Sequence, residues 1–593
     1  MWAIGLLACA LMSFLNQFFS YRTEPLVVTQ ITVQVASLLV GHFLARALPR
    51  RRFRVGGREW SLNPGPFSMK EHVLISIFAN AGFAFGNGNA YSVMIVDIIR
   101  AFYRRSISFL AAWILIITTQ FLQNFLMNDD RTLHEKEEFT GGSKQMSRSK
   151  FFLVVLICSF VWAFVPGYLF QSLTSISWVC WVFSKSVTAQ QLGSGMKGLG
   201  LGAFTLDWTA VSSFLFSPLI ALLRHRQRLR RLHLVHIADI VNQQFRLDTE
   251  AEIYHRFRAS QQEEPDIHTK LMRKYEDIPA WWFYSVTALL MIVSLILCTL
   301  LKDQVQLPWW GFLFACAMAF TFTLPTPGLN VITEYVMGLI MPGYPIANVC
   351  FKVYGYISMS QAISFLADFK LGHYMKIPPK SMFIVQFVGT VVAGTVNLIV
   401  GWWLLGSVEN ICQDQLLPPN SPWTCPNDRV FFDASVIWGL VGPNRIFGSN
   451  GNYIALNWFF LIGAAGPVIV YILHRTFPTH KWILLINIPV LTGATALMPP
   501  ATTVNFNSWL LYGIIFNFFV FRYRKKWWQR YNYILSAGLD AGAAFMGVLL
   551  YFTLTMENRT INWWGTGGEH CPLASCPTAK GVDLGPDSVC PVF

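Results

Sequence analysis

The chain is short of charged residues. Asp, Glu, Lys and Arg make up only 13% of its 593 residues, whereas 54% are hydrophobic. Soluble domains carry about 25% charged residues. A protein with so little charge cannot expose most of its surface to water, which excludes an ordinary soluble globular protein.

Motifs of several function classes are also missing. No GxxxxGK[ST] loop occurs, which argues against a self-contained ATP-driven pump. HEKEE at 134–138 lacks the second histidine of a zinc-protease helix, and the twelve histidines show no metal-ligand spacing. No nucleophile–base pair stands out inside an apolar run. We therefore expect no enzyme activity, no metal site and no cofactor beyond a proton gradient.

Long apolar runs take the place of charge. Apolar runs of roughly 13–24 residues recur along the chain, most of them close to the length that crosses a bilayer as a helix. Many of them begin at Trp or Tyr, as is typical of membrane interfaces. Examples are Trp2–Phe19, Ser108–Met127, Phe151–Leu173, Trp281–Leu301, Trp309–Leu324, Met382–Leu405, Trp458–Leu473, Trp482–Met498, Trp509–Phe521 and Tyr533–Leu554. The sequence predicts an all-α polytopic transmembrane bundle with broken or re-entrant helices and about 12–16 spans.

The net charge of +14 indicates cytoplasmic loops rather than nucleic-acid binding. The clearest such loop is RYRKKWWQR, Arg522–Arg530. Counting spans from it predicts that the loop 407–453 and the tail 557–593 lie outside. Cys412 and Cys425 in that loop could form a disulfide in an oxidising compartment.

The predicted outside tail carries further signals of that face. Asn558-Arg559-Thr560 is a glycosylation sequon. Cys571, Cys576 and Cys590 lie nearby, and because three is odd, at least one lacks a partner within the tail.

The N-terminal half gives a less regular topology. Arg50–Arg54 and Arg100–Arg105 are both basic and both expected inside, yet one apolar segment, His72–Ile99, separates them. Gly82, Gly86 and Gly88 interrupt that segment, which predicts a re-entrant or broken helix pair. After Arg105, a single span precedes another basic loop, so the chain is one crossing short there.

Two short motifs and several long stretches resemble one family. NPGPFSMKEHVL at 63–74 and KIPPK at 376–380 are similar to the NPG and KIPPR signatures of the oligopeptide transporter family. Longer stretches resemble its plant members: SFLNQFFSYRTEPL from Ser13, SWVCWVFSKSVTAQQLGSGMKGLGLG from Ser177, DIHTKLMRKYEDIPAWWF from Asp266, NICQDQLLPPNSPWTCPNDRVFFDASVIWGLVGPNRIFG from Asn410 and FRYRKKWWQRYNYILSAGLDAG from Phe521. The match covers roughly Met1–Pro218 and Asp266 to the end.

The chain departs from the family in three places. Lys380 stands where the family has Arg, which keeps the charge but loses the bidentate fork. The stretch Gln123–Arg131 is shortened, and a charged segment replaces additional spans between Arg224 and Pro265. We expect four regions: an N-terminal membrane region 1–221, a charged cytoplasmic segment 222–266, a C-terminal membrane region 267–556 and a cysteine-containing tail 557–593.

The NPG motif predicts a broken helix start. Pro64 removes a backbone donor and Gly65 permits unusual dihedrals, next to Asn63. The free N–H groups of the next helix suit charged substrate groups. Lys70 could face a peptide carboxylate, and Glu71 could face an amine or carry the coupling proton. The alternative is a helix cap at the water interface with both side chains solvated.

Further candidates lie at glycine- and proline-rich segments. Glu334, inside Pro325–Gly343, is the first candidate for proton coupling, because an intramembrane carboxylate is costly and by default functional. The alternative is an ion pair that only holds helices together. GSGMKGLGLG at 193–202 contains GxGxxG without a surrounding β-strand unit, so a cavity-lining loop or close helix packing is expected rather than a dinucleotide site. Asp207 comes soon after it as a coupling candidate or an interface residue.

KIPPK supplies the last pair of candidates. Lys376 and Lys380 could gate an anionic substrate or only enforce the positive-inside orientation. Asp433 and Arg445, in the outer loop region, are weaker candidates.

The resemblance implies a secondary transporter that would import small oligopeptides together with protons. We expect it in the plasma membrane, since no retention signal ends the chain. Its partners would be small peptides or peptide-like metal chelates, protons and the lipid bilayer, with no nucleic acid and an open oligomeric state. The alternatives are a metal-chelate or glutathione-type transporter of the same family, or an inactive relative that lacks some spans. A passive channel and a membrane-embedded enzyme are rivals from other classes.

Overall fold

The computed structural model covers the chain with gaps. It describes residues 1–23, 26–49, 52–55, 58–61, 63, 65–86, 91–121, 148–212, 215, 217–219, 271–323, 329–413, 415–419, 421–449, 451, 453–477, 479–480, 483, 486, 501–555 and 559–576.

Helices dominate the described residues. The N-terminal part contains α1 (Trp2–Ser20), α2 (Gln30–Ala47), α3 (Met69–Gly86), α4 (Tyr91–Asp97), α5 (Phe109–Phe121), α6 (Arg148–Ser159), α7 (Trp178–Val182), α8 (Val187–Gly193) and α9 (Trp208–Ser212). The C-terminal part contains α10 (Ala280–Leu300), α11 (Lys302–Val305), α12 (Trp309–Thr323), α13 (Leu329–Ile340), α14 (Pro345–Lys352), α15 (Ser358–Tyr374), α16 (Pro379–Ser407), α17 (Pro426–Ser435), α18 (Pro443–Phe447), α19 (Asn457–Thr476), α20 (Thr503–Gly513), α21 (Phe521–Tyr523) and α22 (Lys525–Leu550). The predicted basic loop Arg522–Arg530 is therefore largely helical.

Several helices carry wide π-helical turns where the chain bends. Such turns continue α4, α6, α14, α17, α20 and α22, at Ile98–Phe102, Phe160–Leu169, Val353–Ile357, Val436–Val441, Ile514–Val520 and Tyr551–Thr555. The turn after α6 contains Pro166, which cannot donate a backbone hydrogen bond. π-turns are rare and frequent at functional sites.

The helices have the length and surface of membrane spans. Within the described residues, six segments are long and apolar enough to cross a bilayer: Trp2–Ser20, Ala280–Leu300, Pro379–Ser407, Ile454–Thr476, Thr503–Tyr523 and Lys525–Leu554. Leu289, Ile292, Ile296 and Leu300 of α10 form an exposed apolar stripe at helical spacing. The predicted all-α polytopic class is confirmed, with one small exception: β1 (Arg52–Val55) pairs antiparallel with β2 (Arg58–Ser61).

The described residues form two compact units, each assembled from both halves of the chain. The first unit draws on 1–138 and 246–462, and the second on 139–245 and 463–593.

In the first unit, α1, α3 and α16 pack against one another. Small residues make this approach possible. A Cβ on Gly82 of α3 would lie 2.8 Å from the backbone oxygen of Cys9 in α1. Gly82 lies inside an unbroken helix, so the expectation that it interrupts the chain is wrong. α3 extends to Gly86, and the next described helix, α4, begins at Tyr91.

Replacing Gly82 by alanine tests this close packing. The backbone of Cys9 cannot move aside as a flexible side chain would, so we expect Gly82→Ala to lower the free energy of unfolding by about 1–3 kcal/mol. Thermal unfolding of the purified protein in detergent measures it. Gly406→Ala in α16 is the matched control, because its Cβ would meet nothing within 4 Å. Equal midpoints for the two variants would contradict the packing role.

In the second unit, α6 packs along α22 and the tail folds back onto the glycine-rich segment. Trp208 at the start of α9 is buried, and its Nε1 donates to Asp540 Oδ1 at 2.7 Å. A disulfide joins Cys180 of α7 to Cys571 of the tail.

Candidate functional site

A polar cavity of about 300 Å³ lies inside the first unit. Five helices, α2, α3, α5, α15 and α16, contribute to its wall. The lining is rich in side-chain amides: Gln30, Gln34, Asn80, Gln120, Gln361 and Gln386. Ile77, Phe83 and Leu371 complete it with apolar surface. A concave site with a few convergent polar groups is the usual form of a small-molecule site.

Asp368 of α15 is the charged side chain among the described residues that line this cavity. It is buried, and the hydrogen bonds that its carboxylate accepts from described residues come from side-chain amides. Asn80 Nδ2 donates to Oδ1 at 3.0 Å and to Oδ2 at 2.9 Å, and Gln386 Nε2 donates to Oδ2 at 3.3 Å. These bonds fix the orientation of the carboxylate without neutralising it.

Two amide atoms of the lining have no hydrogen-bond partner among the described residues. They are Gln120 Nε2, a donor, and Gln386 Oε1, an acceptor. Both side chains are more than nine-tenths buried. Buried polar groups are normally paired, so two unpaired ones in a cavity wall are unusual. Neither atom has accessible surface of its own, so a ligand would meet them only after their side chains turn.

The NPG motif, in contrast, builds local structure. Asn63 is buried, and its Nδ2 donates to the carbonyl oxygens of Ala45 at 2.9 Å and Leu48 at 2.6 Å, which closes the end of α2. Its Oδ1 accepts from the backbone N of Gly65. Gly65 has φ +147°, a conformation that favours glycine. Pro64 lies outside the described residues.

Glu71 forms a capping box at the start of α3. Ser68 N and Oγ both donate to Glu71 Oε2, at 2.8 and 3.0 Å, and the backbone N of Glu71 donates to Ser68 Oγ. This arrangement satisfies free helix-terminal donors internally. The structure therefore corresponds to the helix-cap alternative at Glu71.

The two signature motifs are linked through one short segment. Lys70 Nζ donates to Tyr275 Oη at 2.9 Å, and Lys380 Nζ is ion-paired with Glu276. The hydrogen bond from Lys380 holds the pKa of Glu276 below its usual range, so this exposed pair stays charged at neutral pH. The neighbouring pair Tyr275–Glu276 thus joins the starts of α3 and α16. Lys376 is half-buried with φ +55°.

Glu334 of α13 is buried and paired. Its Oε1 accepts from Lys352 Nζ of α14 at 2.9 Å, and the two side chains are 5% and 7% exposed. The Lys352 ammonium also lies 5.0 Å from the Tyr91 ring centroid and 5.4 Å from that of Phe431. Glu334 is thus held in an ion pair between two helices, and it is not among the residues that line the cavity.

Two further buried acids, Asp97 and Asp428, were not predicted from sequence. Tyr21 Oη donates to Asp97 Oδ1 at 2.8 Å, and Gln17 Nε2 donates to Tyr21 Oη at 3.0 Å. Asp428 of α17 is buried as well, near the disulfide between Cys412 and Cys425. Because the Cys412 and Cys425 sulfurs are bonded to each other, these cysteines and Asp428 do not form a set of metal ligands.

The glycine-rich segment of the second unit binds a side chain of the chain itself. Glu569 Oε2 accepts from the backbone N of Gly195 at 2.9 Å and of Met196 at 3.1 Å, and from Ser177 Oγ at 3.0 Å. Ser194 Oγ donates to Oε1. Backbone N–H groups of this kind form anion-binding nests. Here the anion is an internal carboxylate, which leaves no room for a phosphate.

Asp207 and the remaining predicted positions have local roles or lie outside the described part of the chain. Asp207 Oδ1 accepts from the backbone N of Thr209 at 3.0 Å, which caps α9. Cys571 forms a disulfide with Cys180, which lies outside the tail and was not among the three cysteines considered there. Asn558 and Cys590 lie outside the described residues, as do most of Trp482–Met498 and the segments 123–131 and 222–266.

The sequence therefore led to Glu334 but missed Asp368 and Lys352. The rule that selected Glu334, an acid within an apolar run, applies equally to Asp368.

Comparisons with known proteins cover the whole chain. A family model described as "OPT oligopeptide transporter protein" matches residues 1–127, 130–224 and 234–554. Oligopeptide transporter 4 of Arabidopsis thaliana is 58% identical over 690 residues, covering 98% of this chain and 94% of the relative. Oligopeptide transporter 2 of the same plant is 54% identical, covering 100% and 94%, and Oligopeptide transporter 3 is 45% identical, covering 100% and 94%.

In these alignments, gaps also occur in the sequence of this chain. The first runs over 690 residues, more than the 593 of the chain. The relatives therefore carry residues with no counterpart here. The two breaks in the family match, 128–129 and 225–233, fall in the stretches where the sequence departs from the family pattern.

Proposed function

Because the chain belongs to the OPT oligopeptide transporter family, we propose that it imports short peptides across the plasma membrane together with protons. The observation that carries this proposal is the amide-lined cavity within a bundle of apolar helices. A peptide has one N–H donor and one C=O acceptor at nearly every residue. A wall of side-chain amides can pair with both, in a setting where lipid-facing helices exclude water.

Glu334 is the proposed proton acceptor. Protonation would remove its charge and end the ion pair with Lys352, while the ammonium would remain beside the Tyr91 and Phe431 rings. A charge change in this buried pair alters the relative stability of alternative arrangements of α13 and α14, the two helices that carry Glu334 and Lys352. In this way a proton could bias the transport cycle from outside the cavity.

Uptake in a transport-deficient cell tests the function. We expect expression of the chain to confer uptake of labelled peptides that collapses when the proton gradient is dissipated. Glu334→Gln removes one partner of a buried ion pair, so its uptake is compared per molecule at the cell surface. On that basis it should lose at least about tenfold of the gradient-dependent uptake, because the amide cannot take up a proton. Glu334→Asp is the matched variant that retains a titratable group.

The other outcomes separate the rivals. Uptake that persists without a gradient would indicate a passive channel. Surface expression with no uptake of any peptide, glutathione or peptide-like metal chelate would indicate a chain that does not transport. If Glu334→Gln retains full gradient dependence, Glu334 is not the coupling residue.

The disulfides support the plasma-membrane assignment. Cys412, Cys425 and Cys571 fall in segments expected outside, each is bonded to a second cysteine, and disulfides persist in oxidising compartments. Biotinylation of intact cells with a membrane-impermeant reagent measures the surface fraction. A protein labelled only after permeabilisation would contradict this location.

A further inference from the structure

We propose that Asp368 binds the free amino terminus of the peptide substrate. This inference rests on the proposed peptide transport and adds the end of the peptide that the cavity recognises. It predicts a transporter that selects for a primary ammonium group and tolerates changes at the opposite end of the peptide.

The charge of the cavity favours a cation. Among its described lining residues, Asp368 is acidic and none is Lys or Arg. A buried carboxylate is costly unless it is paired or well hydrogen-bonded, and its bonds here come from neutral amides of Asn80 and Gln386. An ammonium group would supply the missing charge.

The hydrogen-bonding capacity of Asp368 also leaves a place for a ligand. A carboxylate offers about four acceptor sites. Asn80 and Gln386 hold it in one orientation from α3 and α16, and the cavity borders it. An ammonium donates up to three hydrogen bonds and forms shorter, stronger ones with a carboxylate than neutral donors do.

The unpaired amides suit the peptide groups next to the amino terminus. Gln386 bonds Asp368 through Nε2, while its Oε1 has no partner among the described residues. This acceptor lies on the side chain that holds Asp368, and it would meet the first peptide N–H once that side chain turns toward the cavity. Gln120 Nε2 is a donor of the same wall and suits a peptide carbonyl. Together they match the alternating groups of a peptide backbone.

The same geometry disfavours a site for the carboxyl terminus in the described wall. A peptide carboxylate is normally bound by Arg, Lys or a helix start. The described lining offers no such cation. Blocking the amino terminus should therefore cost much more affinity than blocking the carboxyl terminus.

Competition binding to the purified full-length protein tests this asymmetry. Labelled alanine peptides of three to five residues are displaced by unlabelled forms that are free, N-acetylated or C-amidated. For the wild-type protein we expect N-acetylation to weaken binding about 10- to 100-fold and C-amidation less than about threefold, given the strength of charge-assisted bonds. In Asp368→Asn the affinity for the free peptide should fall to the affinity for the N-acetylated peptide.

Two variants control the measurement. Asp368→Glu keeps the charge and should preserve most of the preference for a free amine. Asp303→Asn removes an exposed carboxylate of α11 and should behave as the wild type. Elution as a single species by size exclusion establishes that each variant is folded.

Each result decides the inference. Equal binding of free and N-acetylated peptides by the wild type overturns it, even if Asp368→Asn does not fold. A folded Asp368→Asn that keeps the preference, or that weakens both peptides alike, assigns Asp368 a structural role and also overturns it. If Asp368→Asn keeps its preference for the free amine but its uptake no longer depends on the proton gradient, Asp368 acts in proton coupling and the inference is overturned. A wild-type protein that neither binds nor imports any peptide contradicts the proposed function rather than this site.

Discussion

Lys352→Met is expected to destabilise the first unit by about 3–5 kcal/mol, the cost of removing one partner of a buried ion pair. Methionine has a similar volume, so the packing around Tyr91 and Phe431 would be retained. Glu334 would keep a buried carboxylate but lose the hydrogen bond that Lys352 Nζ donates to it at 2.9 Å. Thermal and denaturant unfolding of the purified protein in detergent would measure the loss.

The double variant separates charge from packing. Glu334→Gln/Lys352→Met removes both charges, and we expect its stability to return to within about 1.5 kcal/mol of the wild type, because neutral replacement of a buried pair is often tolerated. Lys302→Met, at an exposed lysine of α11, serves as the control. If Lys352→Met unfolds at the same midpoint as Lys302→Met, the ion pair contributes nothing to the fold.

Glu569→Ala is expected to release the glycine-rich segment. The carboxylate accepts hydrogen bonds from two backbone N–H groups and from serine hydroxyls, all at a buried position. Bonds to a charged group contribute about 1.5–3 kcal/mol each, so losing them should cost at least about 3 kcal/mol locally. Trypsin cleavage after Lys197, which is exposed within this segment, should become more than about tenfold faster, because cleavage depends on the population of the open form.

Two controls accompany the proteolysis. Cleavage after Lys185, outside the Glu569 contacts, reports general unfolding and should change much less. Glu409→Ala removes an exposed glutamate and should leave both sites as in the wild type. Unchanged cleavage after Lys197 in a folded Glu569→Ala protein would show that the disulfide Cys180–Cys571 alone holds the segment.

The sequence carried the class of the fold because composition and run length respond directly to the lipid environment. It could not give the cavity. The amides that line it come from five helices, and no spacing in the sequence relates Gln30 to Gln386. Their convergence depends on how α2, α3, α5, α15 and α16 pack, which is a property of tertiary structure.

The motif at 63–71 shows a different limit. Its prolines, glycine and charges correctly indicate a broken backbone at the start of a helix. The same residues satisfy that helix start through Asn63 and Glu71. A motif that could bind a ligand and a motif that caps a helix use the same donors and acceptors, so the sequence left both open.

Glu334 and Glu569 show when a buried acid can be selected from the sequence and when it cannot. For Glu334, the apolar neighbours in the sequence were enough to select it, but its partner Lys352 lies on the next helix and was not selected. Glu569 lies in a polar tail and gave no signal at all. Its burial arises only because the tail returns to a segment almost 400 residues earlier.

That return has a consequence for biosynthesis. The segment around Gly195 emerges from the ribosome long before Glu569 and Cys571 exist, so for most of translation its amide donors have no carboxylate to bind. The tail must be synthesised before the early segment can lock and oxidise. A polypeptide stalled or truncated before Glu569 would leave that segment open to chaperones and proteases, which makes the last part of the chain a checkpoint for the second unit.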